Sequence, residues 1–305
     1  MTEIQKYLAE EVAEDLADGI ITRREAMRRL GLLGLTSSAA TALLAGFASA
    51  TATAAPPAAP AKGRSGRGSE SEWAPVARES ITFAGPSATL MAAWSPAAQP
   101  RGGVLVIHEN RGLTEHIRTV AGRFAASGYS ALAIDLLSEE GGTGAFPGEA
   151  EVAAALAQIP PERFVADMKA AVTELGRRVR SKRLAAIGFC FGGGMVWRLL
   201  ASREPRLAAA APFYGPFPEG GSLEGTRAAV LGVYGGLDTR VNETKPAAQA
   251  ALEAARLEHE LLTFREADHA FFNDTGARFN PHAAAEAWRR TLNWFDESRR
   301  GGRGD

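Results

Sequence analysis

The stretch Leu184-Ala185-Ala186-Ile187-Gly188-Phe189-Cys190-Phe191-Gly192-Gly193-Gly194-Met195 decides how this sequence is interpreted. It begins as a short apolar run, typical of a buried strand, and ends in glycines that open a helix. The part from Gly188 to Gly192 has the form of a nucleophile elbow, a sharp strand-to-helix turn that holds its central residue in a strained conformation. Glycines flank that residue because a side chain would collide with the neighbouring strand or helix. The pattern predicts a raised, reactive thiol at Cys190.

The helix that follows the elbow favours such chemistry. Its free N–H groups and the positive end of its dipole point at Cys190, which stabilises a thiolate and an oxyanion. The alternative is that Cys190 is a small buried hydrophobic residue, because a single cysteine after a strand usually is one. The choice between the two depends on whether the chain supplies catalytic partners.

Composition excludes several classes of protein. The chain has 305 residues, 46% of them hydrophobic, which suits a globular protein with a sizeable core. Its 34 basic and 35 acidic residues give a net charge of −1, so nothing indicates a nucleic-acid partner. One cysteine rules out a disulfide framework, and five histidines without a close pair make a metal centre unexpected. We expect no metal and no organic cofactor.

The first 54 residues are similar to a bacterial twin-arginine export signal. Paired arginines at Arg23-Arg24 and Arg28-Arg29 precede a weakly apolar run over 31–50, which ends in small residues suited to cleavage. A membrane anchor is the alternative, since about 20 apolar residues span a bilayer. The signal predicts recognition by the export machinery, a periplasmic or secreted protein, and no stable membrane insertion after processing. Residues 55–72, rich in Ala, Pro, Gly and Ser, predict a flexible linker.

Residues 73–299 predict one α/β catalytic domain, followed by a flexible tail over 300–305. Short apolar segments alternate with longer helical ones, which predicts a mostly parallel sheet with helices on both faces and no large lid. Besides the elbow strand, strands are predicted at 81–83, 89–94, 103–108, 130–134, 207–213, 228–234 and 259–264. Besides the elbow helix, helices are predicted near 115–127, 149–157, 161–178, 246–256 and 283–295.

Two residues downstream of Cys190 are candidate partners for the thiol. Asp238 follows a predicted strand in Gly235-Gly236-Leu237-Asp238, and His269 follows the last strand. Nucleophile, acid and histidine occur in this order in α/β-hydrolases, with both partners in loops at the carboxyl ends of strands. Each residue alone is weak evidence for a catalytic site. Three such residues in the order found in α/β-hydrolases, each after its own strand, favour catalysis strongly.

Competing residues fit less well. Asp268 adjoins His269 but is predicted to point the other way, and Asp135 is predicted to be a turn acceptor. The remaining histidines are predicted to be structural or exposed, with His108 able to frame the site: His108, His116, His259 and His282. A serine nucleophile would need Gly-x-Ser-x-Gly, which the chain lacks.

The segment His108-Glu109-Asn110-Arg111-Gly112 follows the first long strand, where an α/β-hydrolase supplies an oxyanion N–H. We therefore assign the backbone N–H groups of Phe191 and Asn110 to an oxyanion hole. Glu109 lies where a carboxylate can exchange a proton with Cys190. An internal ion pair between Glu109 and Arg111 that shapes the loop is an equally good interpretation.

Over about residues 80–298 the sequence resembles the dienelactone hydrolase (carboxymethylenebutenolidase) family. The shared features are the Gly-x-Cys-x-Gly-Gly elbow, the acid after the first core strand, Gly235-Gly236-Leu237-Asp238 and Ala267-Asp268-His269. The resemblance implies a Cys190–His269–Asp238 triad that opens lactones or small esters through an acyl-enzyme, with Glu109 helping to activate the thiol.

Two departures bear on the substrate. Ala270 follows the histidine where the best-known members carry serine, and the arginines that bind the substrate carboxylate in those members have no matching motif. By position, Arg111, Arg240 and Arg278 are candidates for that role. The natural substrate and the oligomeric state stay open. The alternatives to a hydrolase are a non-catalytic ligand-binding relative and a thiol redox protein, the latter disfavoured by the lack of a resolving cysteine.

Overall fold

A computed structural model describes residues 1–51, 78–180 and 184–298, with only the backbone described over 48–51. The predicted linker at 55–72 and tail at 300–305 lie outside these residues. The chain divides into two compact units. The first contains the N-terminal helices and residues 146–159, and the second contains the rest of the described chain.

The second unit alternates strands and helices. Its strands are β1 (Glu79–Ala84), β2 (Thr89–Ser95), β3 (Gly102–Ile107), β4 (Tyr129–Asp135), β5 (Leu184–Phe189), β6 (Leu207–Phe213), β7 (Ala229–Gly235) and β8 (His259–Phe264). The helices of both units are α1 (Glu3–Ala17), α2 (Arg23–Leu32), α3 (Ser37–Thr51), α4 (Glu115–Ala126), α5 (Glu149–Leu156), α6 (Pro161–Val179), α7 (Phe191–Ala201), α8 (Thr239–Asn242), α9 (Lys245–Ala254) and α10 (Pro281–Glu297). The predicted elements are present, with ends that differ by a few residues.

The eight strands form one sheet in the order β1-β2-β4-β3-β5-β6-β7-β8. β2 pairs antiparallel with both β1 and β4, and all other neighbours are parallel. The parallel strands are nearly continuous apolar runs, because helices cover both of their faces. Every residue of β3, β4, β5 and β7 is buried. The predicted α/β architecture is confirmed.

Helices pack on the sheet in two layers. In one layer, α4 contacts α10 through the rings of Phe124 and Trp288, whose centroids are 4.5 Å apart. In the other, α6 contacts α7 through Phe164 and Phe191, with centroids 5.4 Å apart. Because β3, β5, β6, β7 and β8 run parallel, their carboxyl ends lie at the same edge of the sheet. The predicted site residues follow the strands at this edge.

The first unit contains α1, α2, α3 and α5. Thr2 caps α1 in a reciprocal capping box with Gln5. In α2, Glu25 accepts hydrogen bonds from Arg28 and Arg29, and these bonds lower its pKa to about 2. Arg28 also donates to Glu151 of α5 at 2.6 Å. No helix in the described part of the chain is long and apolar enough to cross a membrane.

Residues 146–159 group with the N-terminal helices rather than with the sheet. The sequence predicts an uninterrupted domain over 73–299, so this grouping is a difference from the expectation. Its physical basis is α5, whose apolar side packs with α2 and whose Glu151 pairs with Arg28. The mild amphipathicity of α5 does not indicate which partner covers it.

Gly188→Ala is expected to destabilise the second unit by about 3 kcal/mol or more. A Cβ atom at Gly188 would lie 2.1 Å from the carbonyl oxygen of Gly192, a clash that requires the backbone to shift. Urea denaturation measures the change. Gly176→Ala, in α6, is the matched control, because its Cβ would meet only Leu184 at 3.4 Å and alanine favours the helix by about 0.5–1 kcal/mol. Equal effects of the two changes would contradict the steric argument.

Candidate active site

Cys190 lies between β5 and α7 in the conformation that a nucleophile elbow requires. Its φ of 55° and ψ of −119° are strained for a residue with a side chain. The strain is held by neighbours, since the Cys190 N–H donates to the Phe213 carbonyl at 3.1 Å. A Cβ at Gly192 would lie 2.4 Å from the carbonyl oxygens of Ile107 and His108, so α7 approaches the end of β3 closely. The Cys190 side chain is buried.

Asp238 and His269 form a hydrogen-bonded pair. The His269 Nδ1 atom lies 2.6 Å from Asp238 Oδ2, and both side chains are 1% exposed. Asp238 follows β7 and caps the short helix α8, because its Oδ1 accepts from the Val241 N–H at 3.0 Å. Each oxygen of Asp238 therefore has its own hydrogen-bond partner, and the two bonds together fix the orientation of the carboxylate and of the His269 ring.

Asp238 and His269 each favour the charged form of the other. Burial acts to raise the pKa of Asp238, but the charge of His269 and its hydrogen bond outweigh burial and lower that pKa. Burial acts to lower the pKa of His269, but the charge of Asp238 raises it well above its usual range, and Cys190 adds to the rise. The imidazole is thus a strong base held next to a carboxylate that stays charged.

The thiol of Cys190 faces this imidazole. Its Sγ atom lies within 4.8 Å of a ring nitrogen of His269. The Nδ1 atom is engaged by Asp238, and the buried Nε2 atom makes no hydrogen bond of ordinary geometry with the described residues. The three predicted residues are therefore close together, with the Cys190 sulfur next to the imidazole that Asp238 holds.

Glu109 is held at the same edge of the sheet by a residue that the sequence did not indicate. Its Oε2 atom accepts a hydrogen bond from Asn273 Nδ2 at 2.7 Å, across 164 positions of sequence. Thr275 donates its N–H and its hydroxyl to Asn273 Oδ1, which fixes the orientation of the amide. Glu109 and Asn273 are both buried. The parallel register pairs Ile107 with Gly188, so Glu109 and Cys190 each come two residues after the same point.

The two predicted oxyanion donors follow neighbouring strands. Phe191 is the first residue of α7, so its N–H has no acceptor within its own helix. Asn110 lies in the turn after β3, the strand hydrogen-bonded to β5. This arrangement is the one expected for a pair of backbone donors on either side of a substrate carbonyl.

The family model described as "Dienelactone hydrolase family" matches residues 90–298, a span longer than half of the chain. The chain belongs to the dienelactone hydrolase family. A protein of Escherichia coli O157:H7 named "Putative carboxymethylenebutenolidase" is 33% identical over 207 residues, which cover 64% of this chain and 76% of the relative. A solved structure titled "Putative Dienelactone Hydrolase" from Klebsiella pneumoniae is 29% identical, with a TM-score of 0.64, and covers 72% of this chain and 98% of its own.

Membership in the dienelactone hydrolase family makes the protein a hydrolase of lactones or esters, as the resemblance implied. The fold is confirmed as the α/β-hydrolase fold. An α/β hydrolase from a Medee basin metagenome is only 14% identical, yet its structure matches with a TM-score of 0.56 over 72% of this chain and 98% of its own. Such a distant likeness supports the fold and nothing more.

The three candidate arginines of this family member lie in different loops. Arg111 is half-buried after β3. Arg240 is the second residue of α8, and its charge contributes to the lowered pKa of Asp238, after the larger effects of burial and His269. Arg278 Nε lies 3.9 Å from an oxygen of Asp268. Each stays a prediction as a ligand for a substrate carboxylate.

The competing residues have structural partners in the dienelactone hydrolase domain. Burial lowers the pKa of His108, which donates from Nδ1 to the Glu109 carbonyl and accepts the Leu136 N–H at Nε2. Asp135 accepts from Leu137 and Thr143 in the loop after β4. Asp268 accepts the His269 backbone N–H at 2.7 Å. These residues shape loops around the site.

Asp274→Asn is expected to lower stability at pH 7 by about 1–2 kcal/mol, a figure reduced for partial exposure. Asp274 accepts from His116 and pairs with Arg123, both in α4, and the His116 hydrogen bond contributes most to lowering its pKa from 3.8 to about 2. A lowered carboxyl pKa adds stability above the unfolded value and loses it as the pH falls towards about 2. The variant should therefore show a flatter loss of stability between about pH 4 and pH 2.

Urea denaturation over this pH range measures the effect. Glu286→Gln is the control, because Glu286 pairs with Arg289 on the exposed surface of α10. A variant at Asp274 with the acid dependence of the parent protein would refute the linkage.

Proposed function

We propose that the protein is a cysteine-dependent hydrolase that opens lactones, dienelactone-like ones among them, or small esters through an acyl-enzyme on Cys190. The observation that carries the proposal is the group formed by the strained Cys190, the buried imidazole of His269 and the carboxylate of Asp238. Order and roles match the nucleophile, base and orienting acid of hydrolytic triads.

In the first half of the reaction, His269 Nε2 takes the thiol proton and Cys190 Sγ attacks the substrate carbonyl carbon. The N–H groups of Phe191 and Asn110 receive the charge that develops on the carbonyl oxygen. The bond from the carbonyl carbon to the ring or alcohol oxygen then breaks, and that oxygen takes the proton from His269. A lactone leaves its whole opened chain attached as a thioester.

In the second half, water attacks the thioester carbonyl while His269 takes a proton from it. The C–S bond breaks, the thiol recovers its proton, and the free hydroxy- or oxo-acid leaves. Asp238 keeps the imidazole oriented throughout and balances the positive charge of the imidazolium. It can do so because Asp238 stays ionised: burial acts to raise its pKa, but His269 lowers that pKa by more.

Glu109 serves as a second proton partner for Cys190 in this proposal. It follows β3 at the same level as Cys190 follows β5, so a proton can pass between thiol and carboxylate when substrate enters. The resting thiol is then neutral and becomes a thiolate when it is needed, which limits its oxidation.

Rapid mixing with p-nitrophenyl acetate and with an enol lactone, followed by intact-protein mass spectrometry, tests the proposal. We expect turnover of both and an acyl adduct confined to the peptide that contains Cys190. Hydrolysis without any adduct, or an adduct on another residue, would contradict the thioester route. Saturable binding without turnover would favour a ligand-binding relative instead.

We also propose that residues 1–54 direct export by the twin-arginine route to the periplasm or beyond. Arg23-Arg24 and the weakly apolar run after them support this proposal. Replacing both arginines by lysine should retain an unprocessed precursor in the cytoplasm of the producing bacterium. Export that is unaffected by the replacement would exclude this route.

A further inference from the structure

His108 contacts both residues whose N–H groups form the proposed oxyanion hole. It directly follows β3, and its side chain is 0% exposed. Its ring is nearly parallel to that of Phe191, with 22° between the planes and 6.4 Å between the centroids. Its Nδ1 atom lies 2.6 Å from the carbonyl oxygen of Glu109. That carbonyl and the Asn110 N–H belong to one planar peptide group.

The partners of the imidazole determine which nitrogen carries the hydrogen. The Nε2 atom of His108 accepts the Leu136 N–H at 3.1 Å, so Nε2 carries no hydrogen. Burial lowers the pKa of His108 against the opposing effects of Asp135 and Glu109, so the ring is neutral at pH 7. The one ring hydrogen is therefore on Nδ1, which donates it to the Glu109 carbonyl.

Leu136 is a fixed support for the imidazole. It directly follows β4, the strand paired with β3, and its side chain is buried. Its carbonyl accepts a hydrogen bond from Arg163 of α6 at 3.3 Å. Because both polar groups of the Leu136 backbone are engaged, His108 is held in place from the side opposite Glu109.

The peptide between Glu109 and Asn110 is held from two sides. Its carbonyl also accepts the Gly112 N–H at 3.1 Å, which closes the turn after β3. The Asn110 N–H, on the other side of the same peptide, makes no hydrogen bond with the described residues. Holding the carbonyl therefore fixes the direction of a free N–H, and a hydrogen bond to the carbonyl also strengthens that N–H as a donor.

We propose that His108 is a positioning residue, whose Nδ1–H holds the Glu109 carbonyl and thereby directs the Asn110 N–H at the carbonyl oxygen of the substrate. The role rests on the proposed function in that the Asn110 N–H stabilises the oxyanion. His108 itself touches no substrate and transfers no proton. Its contribution belongs to the transition state, where the charge on the substrate oxygen is largest.

Two amide variants separate the two bonds of the imidazole. In His108→Gln, the side-chain oxygen can replace Nε2 as the acceptor for Leu136, but the Glu109 carbonyl loses its donor. In His108→Asn, the side-chain nitrogen can replace Nδ1 and still donate to that carbonyl. For p-nitrophenyl acetate, we expect kcat to fall by about 10–100-fold in His108→Gln with KM within about twofold, and to stay within about fivefold of the parent in His108→Asn.

A thionoester provides a second measurement on the same variants. Its sulfur accepts hydrogen bonds poorly, so an intact oxyanion hole favours the oxygen ester over the matching thionoester. In His108→Gln, we expect the ratio of kcat/KM for the two substrates to fall by about tenfold. A loss of stability alone, measured by thermal unfolding, would lower both rates and leave the ratio unchanged.

His259→Gln is the matched control. His259 begins β8, at the opposite end of that strand from the site. Its ring has the same pattern of bonds, with Nδ1 2.7 Å from the Leu257 carbonyl and Nε2 3.1 Å from the side-chain nitrogen of Gln249. This variant should keep both the kcat and the substrate ratio of the parent protein.

Equal losses in His108→Gln and His108→Asn, a loss confined to KM, or an unchanged substrate ratio in His108→Gln would each overturn the positioning role. If the variants do not fold, nitrogen NMR of the parent protein gives the tautomer. A hydrogen on Nδ1 supports the role, and a hydrogen on Nε2 would overturn it. A parent protein that hydrolyses no ester would refute the proposed function and this role together, whereas an active parent with any of the contrary results would refute the role alone.

Discussion

Cys190→Ala is expected to reduce kcat/KM for esters and lactones by about 10⁴-fold or more. The change removes the only atom of the proposed site that can form the acyl-enzyme. What remains is catalysis by the oxyanion donors and by substrate binding, which is small in comparison. Steady-state hydrolysis of p-nitrophenyl acetate and of an enol lactone measures the loss.

Cys190→Ser makes this experiment decisive. Serine retains a nucleophilic atom on the same strained backbone, but its alkoxide is harder to form than a thiolate, so we expect weak activity above that of the alanine variant. Thermal unfolding of both variants controls for folding, since alanine and serine occupy no more space than cysteine. Full activity in Cys190→Ala would end the proposed mechanism.

Asp238→Asn is expected to lower kcat by about 10³–10⁴-fold with little change in stability. The amide cannot balance an imidazolium, and it can hold His269 in the wrong tautomer by donating to Nδ1. Folding should be retained, because asparagine is as good an N-cap as aspartate and can still accept the Val241 N–H at the start of α8.

Asp268→Asn provides the matched comparison for Asp238→Asn. Asp268 is adjacent to His269 in sequence, yet its carboxylate accepts the backbone N–H and not the ring. Its replacement should change kcat by less than about threefold, since an asparagine oxygen accepts the same hydrogen bond. Equal losses at the two positions would mean that Asp238 does not act through the imidazole.

The sequence was sufficient for the fold because its signals are local. Continuous apolar runs marked the buried parallel strands, and Gly85-Pro86 marked the turn of the β1–β2 hairpin. The glycines around Cys190 predicted that the backbone of the elbow lies close to neighbouring segments. In the structure, a Cβ added at Gly188, Gly192 or Gly193 would lie only 2.1–2.4 Å from a backbone oxygen. The order of acid and histidine along the chain placed Asp238 and His269 together, 2.6 Å apart.

What the sequence did not predict depends on contacts between distant segments. Asn273 reaches Glu109 across 164 positions, and no local pattern distinguishes it from a loop asparagine. The grouping of residues 146–159 with α1, α2 and α3 follows from which surface covers α5, and its mild amphipathicity leaves that surface undefined.

Adjacent residues Asn273 and Asp274 give the dienelactone hydrolase domain a mechanical link. Asn273 grips the acid next to the nucleophile, while Asp274 is tied to His116 and Arg123 of α4. We therefore expect a substitution at His116 or Arg123 to shift Asp274 and, through the adjacent peptide bond, the Asn273 amide that contacts Glu109. Such substitutions would change how Glu109 is held without replacing any residue of the proposed site, which gives evolution a route to new substrates from outside the pocket.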